Sequence, residues 1–364
     1  MPRKTVTGEH AAPHKGRGAT LNPEGRFESL TRDAFDDGWP VPLPEDPARP
    51  RTTVTPLTAR SIIQHNDSPD VPFNTSINPY QGCEHGCIYC YARPSHAYLE
   101  LSPGLDFETR LFAKVNAAPL LRAELAKPGY VCDPITIGAN TDPYQPIERD
   151  WKITRQVLEV LAELDHPCSI VTKNALVLRD LDLLEPMARK NLVRVFVSVT
   201  TLDHEIARKM EPRASAPQRR IEAIHTLAAA GVPTGVMVAP IVPFLTDSGI
   251  EKALEAAAAA GARYAAYTLL RLPWELRELF KDWLAHNYPL KAEHVMSRVR
   301  EMRGGRENDP NFGSRHRGTG LLAKLLAQRF DIACKRLGLN QDERAPLQTR
   351  LFRPPSAGGQ MDLF

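Results

Sequence analysis

Three of the six cysteines lie within eight residues of one another, at Cys83, Cys87 and Cys90. Three and then two residues separate these thiolates, a spacing that lets them fold around one iron–sulfur cube. They would ligate three irons and leave the fourth iron open to another ligand. Gly82 and Gly86 supply the backbone freedom that so tight a loop needs. The spacing therefore predicts a 4Fe–4S cluster with one open coordination position.

Two other metal sites fit a thiolate-rich loop. Zinc would use the three cysteines with His85 or with a remote ligand. A ferredoxin-like cluster would need a fourth cysteine nearby, but Cys132 and Cys168 lie at or near the starts of predicted strands, at the opposite end of the fold. Zinc therefore remains the main alternative.

Short apolar runs alternate with amphipathic helical patterns from about residue 70 onward. The helical patterns include 153–164, 218–230 and 250–260. The predicted strands are 73–78, 135–140, 168–172, 193–199, 232–238 and 264–270. This rhythm predicts parallel βαβ units, and six of them suit an α/β fold of the partial (β/α)6 barrel type. The cysteine loop follows the first strand and so lies at the carboxyl-end face, where barrel active sites gather.

The domain organisation follows from composition. We expect an extended, partly disordered N-terminal arm over 1–60, which is polar and rich in Pro and Gly. The barrel then covers 61–290, a basic helical extension covers 291–345, and a flexible tail covers 346–364.

Length and charge exclude several classes of protein. The 364 residues, 42% of them hydrophobic, are enough for one large core. A net charge of +3 does not by itself indicate a nucleic-acid protein. No apolar run approaches the ~20 residues that span a bilayer, and the start of the chain has no apolar signal core. We therefore expect a cytoplasmic protein with no membrane segment.

The spacing Cys-x3-Cys-x2-Cys, with an aromatic residue before the last cysteine and at the opening of a βα barrel, resembles the radical S-adenosylmethionine (SAM) superfamily over about residues 70–270. Residues 78–83 (NPYQGC) and 141–146 (TDPYQP) resemble the branch related to spore photoproduct lyase, often described as DNA repair photolyase-like. An uncharacterised bacterial subgroup of that branch is similar at 16–19, 22–23, 26–28 and 312–315.

The resemblance implies radical chemistry. Cys83, Cys87 and Cys90 would hold the 4Fe–4S cluster, and the methionyl amine and carboxylate of SAM would chelate its unique iron. One electron would then cleave SAM to a 5′-deoxyadenosyl radical, which abstracts hydrogen from the substrate.

Polar residues at the predicted strand ends are similar to those that contact the cofactor in the lyase. The second-strand group would hold the methionyl ammonium, Lys173 and Arg213 a carboxylate, and Ser198 a ribose hydroxyl. Turn capping or a surface position is the alternative for each of them. The candidates for cofactor binding are Asn140, Thr141, Asp142, Lys173, Ser198 and Arg213.

Two tyrosines flank the last cysteine, Tyr89 and Tyr91. At the matching places in the lyase, tyrosines are implicated in returning hydrogen to the product radical, so both are catalytic candidates; packing on adenine or in the barrel is the alternative. The lyase's donor cysteine corresponds to Ala139 here, which argues against literal photoproduct repair. Cys334 in the basic region is a substitute donor or, alternatively, a buried inert residue.

Partners are suggested by the C-terminal region. Its arginines predict either a phosphate-tracking groove or a solvated helix face. They are Arg298, Arg300, Arg303, Arg306, Arg315 and Arg317. The last five residues resemble the peptide that docks on the bacterial sliding clamp, in which Gln360 hydrogen-bonds and Leu363 with Phe364 fills an apolar pocket.

We therefore expect a lyase-like radical SAM enzyme that acts on DNA or another nucleic acid in a repair-like reaction. An electron donor of the flavodoxin or ferredoxin type would serve it. Two alternatives stay open: radical modification of RNA or protein, and a non-enzymatic, clamp-tethered iron–sulfur protein that senses DNA or redox state.

Overall fold

The computed structural model describes residues 14–28, 50–341 and 346–355. The strands are β1 Thr53–Leu57, β2 Ile63–His65, β3 Thr75–Ile77, β4 Tyr80–Gln81, β5 Arg110–Lys114, β6 Ile135–Ile137, β7 Cys168–Thr172, β8 Val193–Ser198, β9 Thr234–Ile241 and β10 Tyr264–Leu269. The helices are α1 Asp106–Thr109, α2 Ala117–Leu125, α3 Glu148–Trp151, α4 Ile153–Glu163, α5 Leu181–Arg189, α6 His204–Met210, α7 Pro217–Ala229, α8 Ile250–Ala259, α9 Leu276–Asn287, α10 Ala292–Glu301 and α11 Gly320–Arg336. Three 3₁₀ helices cover Arg93–Leu99, Ala175–Asp180 and Asp247–Gly249.

A seven-stranded sheet in the order β10-β9-β8-β7-β6-β3-β2 forms the centre of the molecule. Its pairs from β3 to β10 are parallel, whereas β2 lies antiparallel on the β3 edge. Five of the six predicted strands contain a parallel strand of the sheet, in chain order, and the prediction 232–238 overlaps β9 but ends three residues before it does. The α/β partial-barrel prediction is confirmed.

The helices cover the sheet because their apolar residues recur at helical spacing. In α4, Val157, Leu158 and Leu161 are fully buried, as their positions on one face predict. Helices α7 and α8 bury matching faces, including Ile224 and Leu254. The parallel strands read as nearly continuous apolar runs because helices or core enclose them.

A second, three-stranded sheet in the order β1-β5-β4 stands beside the barrel. Strand β1 pairs in parallel with β5, and β4 pairs antiparallel with it. Strand β1 falls in the region predicted as an extended arm, so at least this part of it is regular structure. Because β4 ends one residue before Gly82, the small sheet carries the start of the cysteine loop.

The C-terminal part of the chain returns to the barrel. Helix α11 packs on α8, where Arg329 pairs with Glu251 at 2.7 Å, and its Cys334 is buried in the main core. Residues 346–355, within the predicted tail, also contact the barrel, since Phe352 packs edge-on against His166. No helix in the described ranges is both long and apolar enough to cross a membrane.

Candidate active site

The cysteine loop takes a path that only glycine permits at two places. Gly82 and Gly86 both have positive φ. A Cβ on Gly82 would lie 2.6 Å from the Leu111 side chain, and one on Gly86 would lie 2.7 Å from the Glu108 carboxylate. Both positions therefore require glycine, because φ is positive and because a Cβ would collide with a neighbouring side chain.

Side chains from other elements hold the loop by its backbone. The Gln145 amide donates from Nε2 to the Gly82 carbonyl at 3.2 Å and accepts from the Glu84 N–H at 2.8 Å. Arg93 Nε donates to the Cys87 carbonyl at 2.9 Å. Three side-chain hydrogen bonds therefore hold the backbone of the loop in place.

The three thiols form one buried group. Cys83 and Cys87 are buried and Cys90 is half-buried. Burial raises the pKa of all three thiols. The negative charges of Asp142 near Cys83 and of Glu211 near Cys87, together with the neighbouring thiolates, raise the pKa of these two thiols further. Deprotonating them together therefore requires a positively charged centre between them.

The donor set fits a cluster better than a single ion. Over the described part of the chain, no three His, Cys, Asp or Glu side chains converge closely enough to hold one metal ion. His85 instead faces Asp142 at 3.3 Å and Asn174 at 3.1 Å, away from a ligand role. His85 is therefore not placed as a fourth zinc ligand, and three thiols on one loop suit an iron–sulfur cube.

Asp142 follows the second predicted strand, and its carboxylate is already hydrogen-bonded to other groups of the protein. Its carboxylate accepts from the Thr172 hydroxyl at 2.7 Å, from the Lys173 N–H at 2.7 Å and from the Tyr144 N–H at 2.9 Å. Although burial alone would raise the pKa of Asp142, the His85 ring and these donors hold it below its usual value. Asp142 therefore ties strand ends β6 and β7 to the cysteine loop.

The two candidates before Asp142 in sequence, Thr141 and Asn140, differ in how exposed their side chains are. Thr141 is fully buried and donates its hydroxyl to the Tyr80 carbonyl at 2.9 Å. Asn140 is partly exposed. Its backbone N–H, and not its side chain, donates to the Asn78 side chain at 2.8 Å. Asn78 thus shapes the turn on which both residues lie.

Lys173 lies above a buried acid at the third-strand end. Its Nζ is 3.7 Å from Glu211 Oε1 and 5.7 Å from the centre of the Tyr89 ring. The Glu211 carboxylate also accepts from the Tyr89 hydroxyl and pairs with Arg220. Arg220 Nη1 in turn donates to the Ser198 carbonyl at 3.1 Å. Lys173, Ser198 and Tyr89 therefore share one connected polar network.

The other two candidates lie at its margins. Arg213 donates its N–H to the His85 carbonyl at 3.2 Å and pairs with Glu84 at 2.9 Å, which places it against the cysteine loop. Tyr91 is half-exposed, and its hydroxyl donates to the Ala139 carbonyl. The structure thus places all the predicted site residues around one end of the sheet.

Four of the six C-terminal arginines of the predicted groove are engaged within the protein, Arg315 among them, whereas Arg306 and Arg317 are exposed. Arg298 and Arg300 pair with Glu301 and Glu293 on α10. Arg303 is buried and donates to four backbone carbonyls, including that of Leu270 at 2.6 Å. Most of these side chains hold the protein together rather than offering charge to a phosphate backbone.

Three charged residues near the site were not predicted from the sequence. Glu211 directly precedes the Pro212-Arg213 pair, and an acidic residue next to the candidate Arg213 is a signal that could have identified it. Glu108, which pairs with Arg93, carries no local signal because its partners are distant in sequence. Arg271 follows the sixth predicted strand, whereas the predicted site residues follow only the second, third and fourth strands or lie in loops.

A model of the radical SAM superfamily matches residues 77–257. The chain belongs to this superfamily and is an enzyme of the radical SAM class. Its members use a 4Fe–4S cluster and SAM, and they need an electron donor.

Among curated relatives, an uncharacterised protein of Mycobacterium tuberculosis is 39% identical over 259 residues, 70% of this chain and 75% of its own. The radical SAM Nalpha-GlyT isomerase of Pseudomonas phage M6 is 28% identical over 50% of this chain and 36% of its own. Among solved structures, spore photoproduct lyase complexed with dinucleoside spore photoproduct matches with a TM-score of 0.57 and 16% identity, over 79% of this chain and 80% of that one. The lyase likeness extends beyond the superfamily match and confirms the expected fold.

Proposed function

We propose that this radical SAM enzyme acts on DNA or another nucleic acid in a repair-like reaction. The observation that supports it most is the buried trio of Cys83, Cys87 and Cys90 at the strand-end edge of a fold shared with a photoproduct lyase. The cluster and SAM would supply a carbon-centred radical, and the chain's own residues would position the substrate and exclude water.

The network suggests how the candidates divide their work. Asn140, Lys173 and Ser198 would contact SAM, since they lie at successive strand ends. Thr141, Asp142 and Arg213 would position the loops, because their polar groups are already bonded within the protein. This division supports one cofactor site at the mouth of the barrel.

The two tyrosines would have unequal roles. Tyr89 is buried with its hydroxyl on Glu211, so it would support the cofactor pocket. Tyr91 is half-exposed beside Ala139, so it is the better placed of the two to reach a substrate. Hydrogen return through Tyr91 is therefore part of the proposal.

The test is anaerobic reconstitution of the cluster, followed by reduction with dithionite and addition of SAM. We expect 5′-deoxyadenosine by chromatography, its loss in Cys87→Ala, and its retention in the matched control Cys132→Ala, which removes a cysteine outside the loop. Ultraviolet-irradiated DNA, RNA and a protein extract are then each incubated with the enzyme, and products are sought by mass spectrometry. A product in RNA or protein alone would refute DNA as the substrate, and a loaded cluster that never cleaves SAM with any of the three would favour the sensor alternative.

We also propose an interaction with the sliding clamp through Gln360, Leu363 and Phe364, which lie outside the described residues. The support is the sequence pattern of one hydrogen-bonding residue and two apolar ones. In a pull-down with purified clamp, the full chain should be retained and a chain without residues 360–364 should not. Equal retention would reject the interaction. We further propose an electron donor of the flavodoxin or ferredoxin type, because members of the superfamily need one.

A further inference from the structure

Arg271 lies at the same end of the sheet as the cysteine loop. It follows β10 by two residues, and the preceding Leu270 N–H still bonds to Ile241 of the neighbouring strand at 3.0 Å. Its guanidinium is close enough to Tyr91 for the two groups to interact electrostatically. Arg271 therefore lies at the same end of the sheet as the half-exposed Tyr91 and within electrostatic range of it.

The guanidinium of Arg271 has little within the protein to balance it. Nη1 donates to His316 Nε2 at 3.4 Å, and Nε is buried without a hydrogen-bond partner. In the described ranges no carboxylate lies within ion-pair distance of it. By contrast, the buried Arg93 and Arg220 each pair with a glutamate.

The surroundings of Arg271 make the missing carboxylate partner more costly. Burial lowers the pKa of Arg271, and the nearby Arg315 lowers it further. The two closest acids are already engaged, Asp70 by Arg315 at 2.8 Å and Asp309 by the Ser314 hydroxyl at 2.6 Å. Burial and the Arg271 charge hold the pKa of His316 at about 4, so its neutral ring accepts from Arg271 without repelling it. An anion from outside is what the site lacks.

We propose that Arg271 binds a phosphate group of the substrate beside Tyr91. A guanidinium offers paired N–H donors that match two oxygens of a phosphate, and a site shielded from water strengthens that bond. His316 fixes the plane of the guanidinium through its contact with Nη1. The inference rests on the proposed nucleic-acid function, since it names the group by which such a substrate would be held.

The experiment measures binding with the reconstituted full-length protein. The probe is a short fluorescein-labelled oligothymidylate, followed by anisotropy, with its uncharged methylphosphonate analogue as the comparison. The variants are Arg271→Gln, Arg271→Lys and the matched control Arg298→Gln, whose arginine is paired on the surface of α10. Cluster absorbance and the melting temperature verify that each variant is folded and loaded.

We expect Arg271→Gln to weaken binding of the charged probe about tenfold or more, as loss of charge-assisted hydrogen bonds implies. Arg271→Lys should recover part of that loss, and Arg298→Gln should bind as the wild type does. Binding of the uncharged analogue should not respond to Arg271→Gln. An unchanged affinity in Arg271→Gln, or an equal loss with both probes, would overturn the proposal.

A failure of the nucleic-acid function is distinguishable from a failure of the anion site. If the wild type binds neither probe, its melting temperature is compared in inorganic phosphate and in chloride at equal ionic strength. Stabilisation by phosphate that Arg271→Gln abolishes would retain the site for another phosphorylated substrate. No such stabilisation would overturn the proposal as well.

Discussion

Buried charges around the cysteine loop are balanced by opposite charges, one residue at a time. Burial alone would raise the pKa of Glu211, but Arg220 and Lys173 outweigh it and hold this pKa at about 2. Glu108 pairs with Arg93 and also accepts the N–H groups of residues 18 and 19. Removing one partner of such a pair costs about 3–5 kcal/mol because the other charge stays buried. The partly buried Arg271, whose Nε has no hydrogen-bond partner, departs from this balance.

His166 is buried in its neutral form, about eighty residues from the cysteine loop in sequence. Its Nδ1 lies 3.0 Å from the Pro167 carbonyl, which can only accept, so Nδ1 carries the proton. Nε2 therefore accepts from the Tyr130 hydroxyl at 2.8 Å, and Phe352 covers the ring. Burial lowers the pKa of His166 to about 4, whereas the ordinary value is 6.5.

His166 should make stability depend on pH. Since its folded pKa is lower than its unfolded one, the unfolded state takes up a proton first as the pH falls through 6.5 toward 4. Between pH 7.5 and 5.5 the wild type should lose about 1 kcal/mol more unfolding free energy than His166→Phe, by urea denaturation at both pH values. Parallel losses in the two proteins would show that His166 does not carry the effect.

At the scale of elements, the N-terminal segment 14–28 is part of the site's wall. Ala19 is buried in a cluster that includes Cys87 and Ile88. Arg17 Nη1 donates to the Glu108 carbonyl at 2.9 Å, which ties the segment to α1. The cysteine loop is therefore enclosed by a segment that begins far from it in the chain.

Gly18 is the point at which this segment tolerates no side chain. A Cβ there would lie 1.8 Å from the Gly86 carbonyl oxygen, so the segment must lift off the cysteine loop. Gly18→Ala should lower the unfolding free energy by about 1–3 kcal/mol and hasten loss of the cluster's visible absorbance in air. The control is Gly249→Ala, where a new Cβ meets no described atom within 4 Å. Equal cluster lifetimes in the two variants would contradict the enclosing role.

The parallel strands and the cysteine trio were predictable because their signals are local. Strands such as β8 read as apolar runs, and the thiol spacing lies within one loop. Strand β1, with two exposed threonines and a proline, gives no such signal, and its pairing with β5 crosses more than fifty residues. Glu108 and Glu211 read as surface charges until distant partners are known. Strand pairs and ion pairs between residues distant in sequence could therefore not be predicted.

At the scale of the whole molecule, a C-terminal loop joins the two sides of an open sheet. The sheet ends at β10 on one side and at β2 on the other. His316 accepts the Leu269 N–H through its carbonyl at 2.9 Å, which extends the β10 edge. The adjacent Arg315 pairs with Asp70 in the loop between β2 and β3. This ion pair spans 245 residues of sequence and bridges the gap between the edges.

The bridge should be measurable as a coupling between Asp70 and Arg315. Both side chains are mostly buried, so we expect a double-mutant cycle with Asp70→Asn and Arg315→Gln to give about 1–2 kcal/mol of interaction energy by urea denaturation at pH 7. The exposed pair Arg298 and Glu301 on α10 is the matched control, with about 0.5 kcal/mol or less. Because Arg315 holds the pKa of Asp70 well below 3.8, this coupling should persist at pH 5 and weaken only as the pH falls below that value. Additive effects of the two substitutions would mean that the barrel's edges are held by backbone contacts alone, and the mouth beside Arg271 would then owe its shape to the strands.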